Sequence, residues 1–335
     1  MFRLLALLQL TRAALAFTAV ADAWTVLLLR SPNEPVPPIG WMITRMLIVS
    51  LVSLGLYGFG MSLNDLLDAR RDRIFAPRRP IPSGRIHLRT AVQVSLGLLM
   101  LSLFAAAALD VVRGLQEQAT HVIIPWSFIF AFATAALIVF YNGTAKYLGG
   151  IGLLTLGAIR AFHCLVSKPT TPLLFLSMFL LCHVFIVSLI AYRLENKRPR
   201  LRRHDLVVSF TGFALLIAAA AWYMDYRGAL DRDYVQMLIG PSIALVLYAA
   251  WAARTLLRTD LAPRQKGERL MLLGLFWLFM YDASMLFSNQ QWLAGTSVVL
   301  LFICAVLSFF GIRALNRAIA HPRLSYRVER AEART

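Results

Sequence analysis

The stretch over residues 63–86, LNDLLDARRDRIFAPRRPIPSGRI, gathers charged side chains of both signs between two long apolar segments. Its acids are Asp65, Asp68 and Asp72, and Asn64 precedes them. If the preceding helix continues through the motif, spacings of three and four residues place these side chains on one face. Grouped carboxylate and amide oxygens favour Mg²⁺, which usually bridges a few carboxylates to the phosphate oxygens of a substrate. The pattern therefore predicts a Mg²⁺ site.

An ordinary charged loop is the alternative interpretation of these acids. In that case they pair with the neighbouring arginines Arg70, Arg71 and Arg73 and remain solvated. The preceding Asn64, the regular spacing and the position at the edge of an apolar segment favour the metal site.

The second half of the stretch predicts a shaped loop with basic side chains. Several residues there exclude a regular helix: Pro77, Pro80, Pro82 and Gly84. Arg78 and Arg79 lie within this loop, where guanidinium groups can grip an anion. Acids for a metal beside bases for a phosphate, at the mouth of an apolar bundle, predict a substrate with a diphosphate head and an apolar tail.

The composition is that of an integral membrane protein. Of the 335 residues, 59% are hydrophobic and only 15% are charged. The formal net charge of +17 lies in short loops between apolar runs, and no basic, aromatic-rich domain is present. Nucleic-acid binding is therefore disfavoured. The three cysteines lie in apolar runs without CxxC spacing, which excludes a disulfide framework or a zinc site.

Ten apolar windows are long enough to span a membrane as helices. They cover residues 8–29, 40–63, 90–110, 122–141, 147–167, 171–192, 206–225, 235–256, 270–287 and 291–312. We therefore expect an all-α, polytopic transmembrane bundle of nine to ten spans, forming a single membrane domain over residues 1–335. The last two windows are joined by three residues and predict a tight hairpin over residues 270–312.

The basic residues predict the orientation of the bundle. Most of the 34 lysines and arginines fall in every second loop, counted from the N-terminus. These loops include residues 64–89, residues 193–205 and the basic tail at 313–335. By the positive-inside rule both termini and both of these loops are cytoplasmic, and we expect a bacterial inner membrane.

The residues of the first loop resemble a known motif. Asn64-Asp65-x-x-Asp68-x-x-x-Asp72 followed by RRPIPSGRI is similar to the first aspartate-rich motif of the UbiA superfamily of intramembrane prenyltransferases. The family pattern is NDxxDxxxD followed by a segment close to NRPLPSG. The later segment YNGTAKYLGG resembles the family's tyrosine-then-lysine segment. The resemblance covers residues 1 to about 250.

This resemblance implies a helical bundle around a lipid-open cavity, with Mg²⁺ on the aspartates. The metal would hold an isoprenyl diphosphate, and the isoprenyl group would pass to a lipophilic, aromatic acceptor in the membrane. Three residues would act in catalysis: Asp68, Asp72 and Lys146. The metal ligands would be Asn64, Asp65, Asp68 and Asp72. The diphosphate would be held by Arg78, Arg79, Tyr141 and Lys146. No oligomeric state is implied.

The second aspartate-rich motif of the family, close to DxxxDxxxD, is degenerate in this chain. The segment reads AYRLENKRPRLRRHD, in which Glu195 takes the first acidic position and becomes a fifth candidate metal ligand. Pro199 and Arg203 take the other two positions. Two interpretations remain open. Arg193 and Lys197, with Arg198, replace a second metal by gripping the diphosphate, or the chain is a non-catalytic carrier of an isoprenoid or lipid phosphate.

Several ionisable residues lie within the predicted spans: Arg12, Arg160, His163, His183 and Asp282. Charges at membrane depth are costly, so such residues usually face a cavity or a partner. We expect Asp282 to pair with an arginine such as Arg160. Because Arg12 interrupts the first apolar window, that window is interpreted as a retained helix and not as a signal peptide.

Overall fold

The computed structural model describes residues 2–30, 37–116, 124–167, 173–197, 199–226 and 232–320. These residues form α-helices and one 3₁₀ turn, and they contain no strand. The helices are α1 (Phe2–Leu10), α2 (Ala13–Leu28), α3 (Ile39–Leu67), α4 (Ala69–Phe75), α5 (Leu88–Gln116), α6 (Trp126–Gly143), α7 (Gly150–Cys164), α8 (Leu173–Leu194), α9 (Arg203–Tyr226), α10 (Arg232–Leu257), α11 (Pro263–Ser288) and α12 (Trp292–Ala320). The 3₁₀ turn, Ala145–Tyr147, lies between α6 and α7.

The predicted all-α membrane bundle is confirmed. Eight of the described helices are long and apolar enough to cross a membrane, and two shorter apolar helices, Ala13–Leu28 and Gly150–Cys164, occupy the remaining predicted windows. Large apolar side chains cover the outer surface, as in α9, where Leu215 is 66% and Trp222 is 68% exposed. Such surfaces require lipid around them, so the chain is an integral membrane protein.

The first predicted span is not one continuous helix. The helical path breaks at Arg12, whose φ of 47° is left-handed, and α2 begins at Ala13. A long basic side chain in an apolar run is costly at membrane depth, and the break turns Arg12 out of the regular helix surface. Arg12 thereby lines a cavity at the end of the bundle that carries the aspartate-rich motif.

Close packing of α3 against α5 positions the end of α3. A Cβ atom on Gly55 would lie 2.8 Å from both the Leu98 carbonyl oxygen and the Ser102 Cβ, so glycine permits this approach. Small residues drive helix association in membranes in the same way, because they bring backbones close together. Val52, Leu56 and further buried residues of α5 and α6 extend this contact.

The last two helices, α11 and α12, cover the segment predicted to form a C-terminal hairpin. Residues 289–291 join α11 to α12, with Gln290 in the left-handed region at a φ of 58°. α11 packs against α2, α8, α10 and α12, and Tyr281 and Met285 are fully buried in the largest apolar cluster. The hairpin is therefore part of the bundle core.

A buried group of charged residues ties the hairpin to the bundle. Arg160 on α7 forms an ion pair with the fully buried Asp22 on α2. Asp282 on α11, also fully buried, lies against Asp22 and within electrostatic range of Arg160. The expected partnership of Asp282 with Arg160 is thus part of a three-residue group, with Asp22 as the direct partner of the guanidinium.

Both intramembrane histidines have hydrogen-bond partners. His163 Nε2 lies 3.1 Å from Ser53 Oγ on α3. His183 Nε2 lies 3.0 Å from the Gly274 carbonyl oxygen, and its Nδ1 lies 2.9 Å from the Tyr281 hydroxyl. These contacts join α7 to α3 and α8 to α11, so both side chains face a partner, as expected for ionisable residues at membrane depth.

The buried group of Arg160, Asp22 and Asp282 leads to a prediction for stability. In Asp22→Asn or Asp282→Asn one carboxyl still compensates Arg160, whereas the double variant leaves the guanidinium buried and unpaired. An unpaired buried charge costs about 3–5 kcal/mol. We expect the double variant to lose this much unfolding free energy in an SDS titration, and more than the two single variants together.

The exposed Asp260→Asn variant is the control and should unfold like the wild type. Additive losses in the double variant would show that Asp22 and Asp282 do not share the compensation of Arg160.

Candidate active site

The aspartate-rich motif lies where α3 meets α4. The helix pauses at Asp68 (φ −84°, ψ 0°), but the Asp68 amide still donates to the Asn64 carbonyl at 3.0 Å. The Asp72 amide donates to the Asp68 carbonyl at 2.8 Å, so the four-residue repeat continues through the pause. Asp65, Asp68 and Asp72 are each less than 10% exposed. The motif therefore presents buried carboxylates and not a solvated loop.

One cation, Arg79, holds two of these carboxylates. Its Nη1 lies 2.6 Å from Asp72 Oδ2 and 3.3 Å from Asp65 Oδ1. The proline-containing loop turns back on itself to place Arg79, with the Ile86 amide donating to the Pro80 carbonyl at 3.1 Å. The irregular loop predicted from the prolines and glycine is confirmed, and Gly84 has a φ of +72°.

A second cation, Lys146, contacts the third carboxylate and the neighbouring asparagine from a distant part of the chain. Its Nζ lies 2.9 Å from Asp68 Oδ1 and 3.5 Å from Asn64 Oδ1. The Tyr147 hydroxyl lies 3.4 Å from the same Asp68 oxygen. Sequence reasoning missed Tyr147; its place beside Lys146 on the 3₁₀ turn was the available signal.

Glycines at the start of α7 allow close packing of the turn that carries Lys146. A Cβ on Gly152 would lie 2.5 Å from the Ala145 carbonyl oxygen, so glycine lets the turn rest directly on the helix. Gly149 has a φ of +57° and lies against the Asp205 carboxylate of α9. These contacts fix the position of Lys146 opposite the end of α3.

The loop equivalent to the second family motif lies beside this turn. Glu195 and Lys197 pair with one another, Oε2 to Nζ at 2.9 Å. The Tyr192 hydroxyl donates to the Pro199 carbonyl at 2.6 Å, and Tyr192 is within electrostatic range of Arg71 in α4. Arg193 is exposed. The expectation for Arg198 lies outside the described residues.

Tyr141 and Arg12 complete the surroundings of the motif. Tyr141 is half-buried and lies within electrostatic range of Asp68, Tyr192 and Arg12. A cavity of about 480 Å³ is bounded by Asp65 and by four arginines: Arg12, Arg78, Arg79 and Arg85. Sequence reasoning noted Arg12 only as a costly intramembrane charge; its place at this cavity follows from the break between α1 and α2. The cavity is strongly basic and suits an anion.

The motif's donor chemistry fits Mg²⁺. Carboxylate and amide oxygens are its usual protein ligands, and these side chains follow one another along two helical turns. Within the described ranges, no three acidic, histidine or cysteine side chains converge on one point. Instead, Arg79 holds two of the carboxylates, and Lys146 holds the third together with the Asn64 amide oxygen. A metal that displaced these two cations would compensate the three carboxylates in their place.

Local sequence similarity links the chain to one group of relatives. It is 32% identical over 120 residues to a digeranylgeranylglyceryl phosphate synthase of Metallosphaera sedula, covering 36% of each chain. It is 26% identical over 156 residues to that of Sulfurisphaera tokodaii, covering 43% of this chain and 50% of the relative. The chain thus spans half or less of the length of these curated relatives. No protein-family model matches the chain.

The fold also matches solved structures. A digeranylgeranylglyceryl phosphate synthase in membranes matches with a TM-score of 0.57 at 20% identity, covering 85% of this chain and 99% of that chain. A UbiA homolog from Archaeoglobus fulgidus bound to GPP and Mg²⁺ matches with a TM-score of 0.45 at 13% identity, over 92% of this chain and 99% of that one. The first match shows the fold. The local sequence similarity and the aspartate-rich motif at the end of α3 agree with the resemblance to the UbiA superfamily of intramembrane prenyltransferases.

Proposed function

We propose that the protein is a Mg²⁺-dependent prenyltransferase that moves an isoprenyl group from a polyprenyl diphosphate to a lipophilic acceptor within the membrane. One observation carries this proposal. Buried oxygen side chains at the end of a membrane helix are held by two cations, Arg79 and Lys146, from separate segments. Carboxylates that can bind a metal ion and basic side chains that can bind an anion lie together at one membrane edge. A complex of a metal ion with a diphosphate requires both.

Asn64, Asp65, Asp68 and Asp72 are the proposed metal ligands. Bound Mg²⁺ would neutralise charge that develops on the diphosphate as the allylic C–O bond breaks. Glu195, proposed as a further ligand, reaches a metal only when its bond to Lys197 opens. The first motif therefore supplies the principal ligands.

The basic side chains are proposed to bind the leaving diphosphate. Lys146 and Arg79 already lie among the carboxylates, and a metal on those carboxylates would free both cations to contact phosphate oxygens. Arg78 lies on the wall of the basic cavity next to Arg79. Arg193 and Lys197 are proposed as additional contacts from the second loop, and Tyr141 as a contact near Asp68. Fixed positive charges aimed at a developing anion are an effective source of rate enhancement.

The acceptor is proposed to carry a phosphate. The name of the similar relatives describes a product that is a glyceryl phosphate with two geranylgeranyl groups. Beyond the residues that hold the carboxylates, the cavity has additional positive charge from Arg12 and Arg85. This charge suits a second anionic group better than it suits the aromatic acceptor expected from the sequence.

A carrier without catalytic activity is the rival function. The degenerate second motif favours it, because Glu195, the acid at the first position of that motif, is paired with Lys197. A carrier and a transferase both bind the metal diphosphate, and only a transferase forms product.

The test uses purified protein in nanodiscs with radiolabelled geranyl, farnesyl and geranylgeranyl diphosphates. The acceptors are a prenylglyceryl phosphate, a hydroxybenzoate and a membrane lipid extract, each with and without Mg²⁺. We expect Mg²⁺-dependent product with the prenylglyceryl phosphate, and a loss of at least about 100-fold in Asp68→Ala. Asp260→Ala, at an exposed ion pair, is the matched control. Mg²⁺-dependent binding with no product from any donor would establish the carrier.

Substitutions in the two motif loops are expected to affect activity differently. Because Glu195 is paired with Lys197, we expect Glu195→Gln to lower kcat/KM by less than about 10-fold, whereas Asp68→Asn lowers it by at least about 100-fold. The measurement is steady-state transfer at saturating Mg²⁺. Equal losses in both variants would place Glu195 among the principal metal ligands.

The close contact between the 3₁₀ turn and Gly152 leads to a further prediction. In Gly152→Ala the new Cβ pushes against the Ala145 carbonyl and displaces Lys146 from Asp68. A misplacement of about 1 Å can cost on the order of 100-fold in rate, so we expect a loss of that size. Gly143→Ala is the control, because a Cβ there has no atom within 4 Å. Wild-type transfer in the Gly152 variant would show that the position of this turn does not limit catalysis.

A further inference from the structure

A second basic cavity lies at the same end of the bundle. Its volume is about 590 Å³, and it lies between the end of α3, α4, the proline-containing loop and the start of α5. Its apolar lining includes Leu66, Ile81, Ile86 and Leu88. Arg70, Arg73 and His87 supply the polar lining. The cavity shares no lining residue with the basic cavity beside Asp65.

The two arginines of this cavity are not engaged by the motif's acids. Asp65, Asp68 and Asp72 take Arg79 and Lys146 as partners. Within the part of the chain that the structure describes, neither Arg70 nor Arg73 forms an ion pair or side-chain hydrogen bond, and both are exposed. A pair of guanidinium groups beside an imidazole fits the oxygens of a phosphate.

An apolar stripe runs from this cavity along α5. Leu88, Val92, Leu96 and Met100 follow one another at four-residue intervals, so they share one face of the helix. Their exposures are 56%, 40%, 54% and 44%. Leu88 belongs to both the cavity and the stripe. On α4, Ile74 and Phe75 are each 77% exposed beside Arg73.

We propose that this cavity binds the headgroup of an anionic phospholipid. Arg70, Arg73 and His87 contact the headgroup phosphate, and an acyl chain lies along the stripe from Leu88 to Met100. Free phosphate would use only the polar lining, whereas a lipid uses the cavity and the stripe together. The lipid is therefore the occupant that accounts for both surfaces. This site does not depend on the proposed transferase activity.

The test compares lipid retention by native mass spectrometry of the purified full chain. The probes are phosphatidylglycerol and phosphatidylcholine with the same acyl chains, and the competitors are inorganic phosphate and glycerol 1-phosphate. We expect phosphatidylglycerol to bind at least about 10-fold more tightly than phosphatidylcholine. Arg70→Gln and Arg73→Gln should each weaken phosphatidylglycerol binding by roughly 5-fold, and the double variant by roughly 25-fold.

The matched control is Arg254→Gln with Arg269→Gln, which removes the same charge from exposed arginines near the α10–α11 connection. We expect less than a 2-fold change in that variant. An equal loss in the control would overturn the proposal in favour of a general attraction between basic loops and anionic lipid. Equal affinity for the two lipids would also overturn it. Competition by millimolar phosphate as effective as that by lipid would show a phosphate site and no lipid site.

Discussion

Three buried carboxylates at the end of one membrane helix determine much of the arrangement around them. Asp65, Asp68 and Asp72 are each less than 10% exposed and lie within two helical turns. Carboxylates crowded in this way repel one another, and removing them from water is costly unless cations are close. Arg79 and Lys146 provide this compensation. The proline-containing loop must therefore fold back onto α4, and α6 must deliver its following turn to the same end of the bundle.

This requirement explains several local features that are unfavourable in isolation. The turn that carries Lys146 rests on Gly152 without space for a Cβ, and Gly149 has a left-handed conformation against Asp205. Arg12 breaks the first span so that its side chain borders the cavity beside Asp65. Each feature places a polar group at the motif end of an otherwise apolar bundle. The contact between α2, α7 and α11 is held differently, by Arg160 close to Asp22 and Asp282.

The sequence was sufficient to predict the all-α bundle of membrane spans, because apolar length is a local property. It was not sufficient to predict which cation meets which acid. Arg70, Arg71 and Arg73 are nearest in sequence to the aspartates, yet Arg79 and Lys146 are the partners. The roles of Tyr147, Asp22 and Arg12 also depend on contacts between helices that are distant in the sequence. The hydrophobic periodicity of the chain does not predict such contacts.

The acidic and basic side chains of α4 face different surroundings. Asp72 points into the bundle and accepts from Arg79, whereas Arg70 and Arg73 remain exposed at a cavity continuous with the apolar face of α5. If Arg70 and Arg73 had formed ion pairs with the aspartates, the outward face would have lost its positive charge. Because Arg79 and Lys146 compensate the aspartates, Arg70 and Arg73 keep their charge at the outward cavity. A segment of seven residues thereby separates the proposed metal-binding surface from the surface proposed to bind anionic lipid.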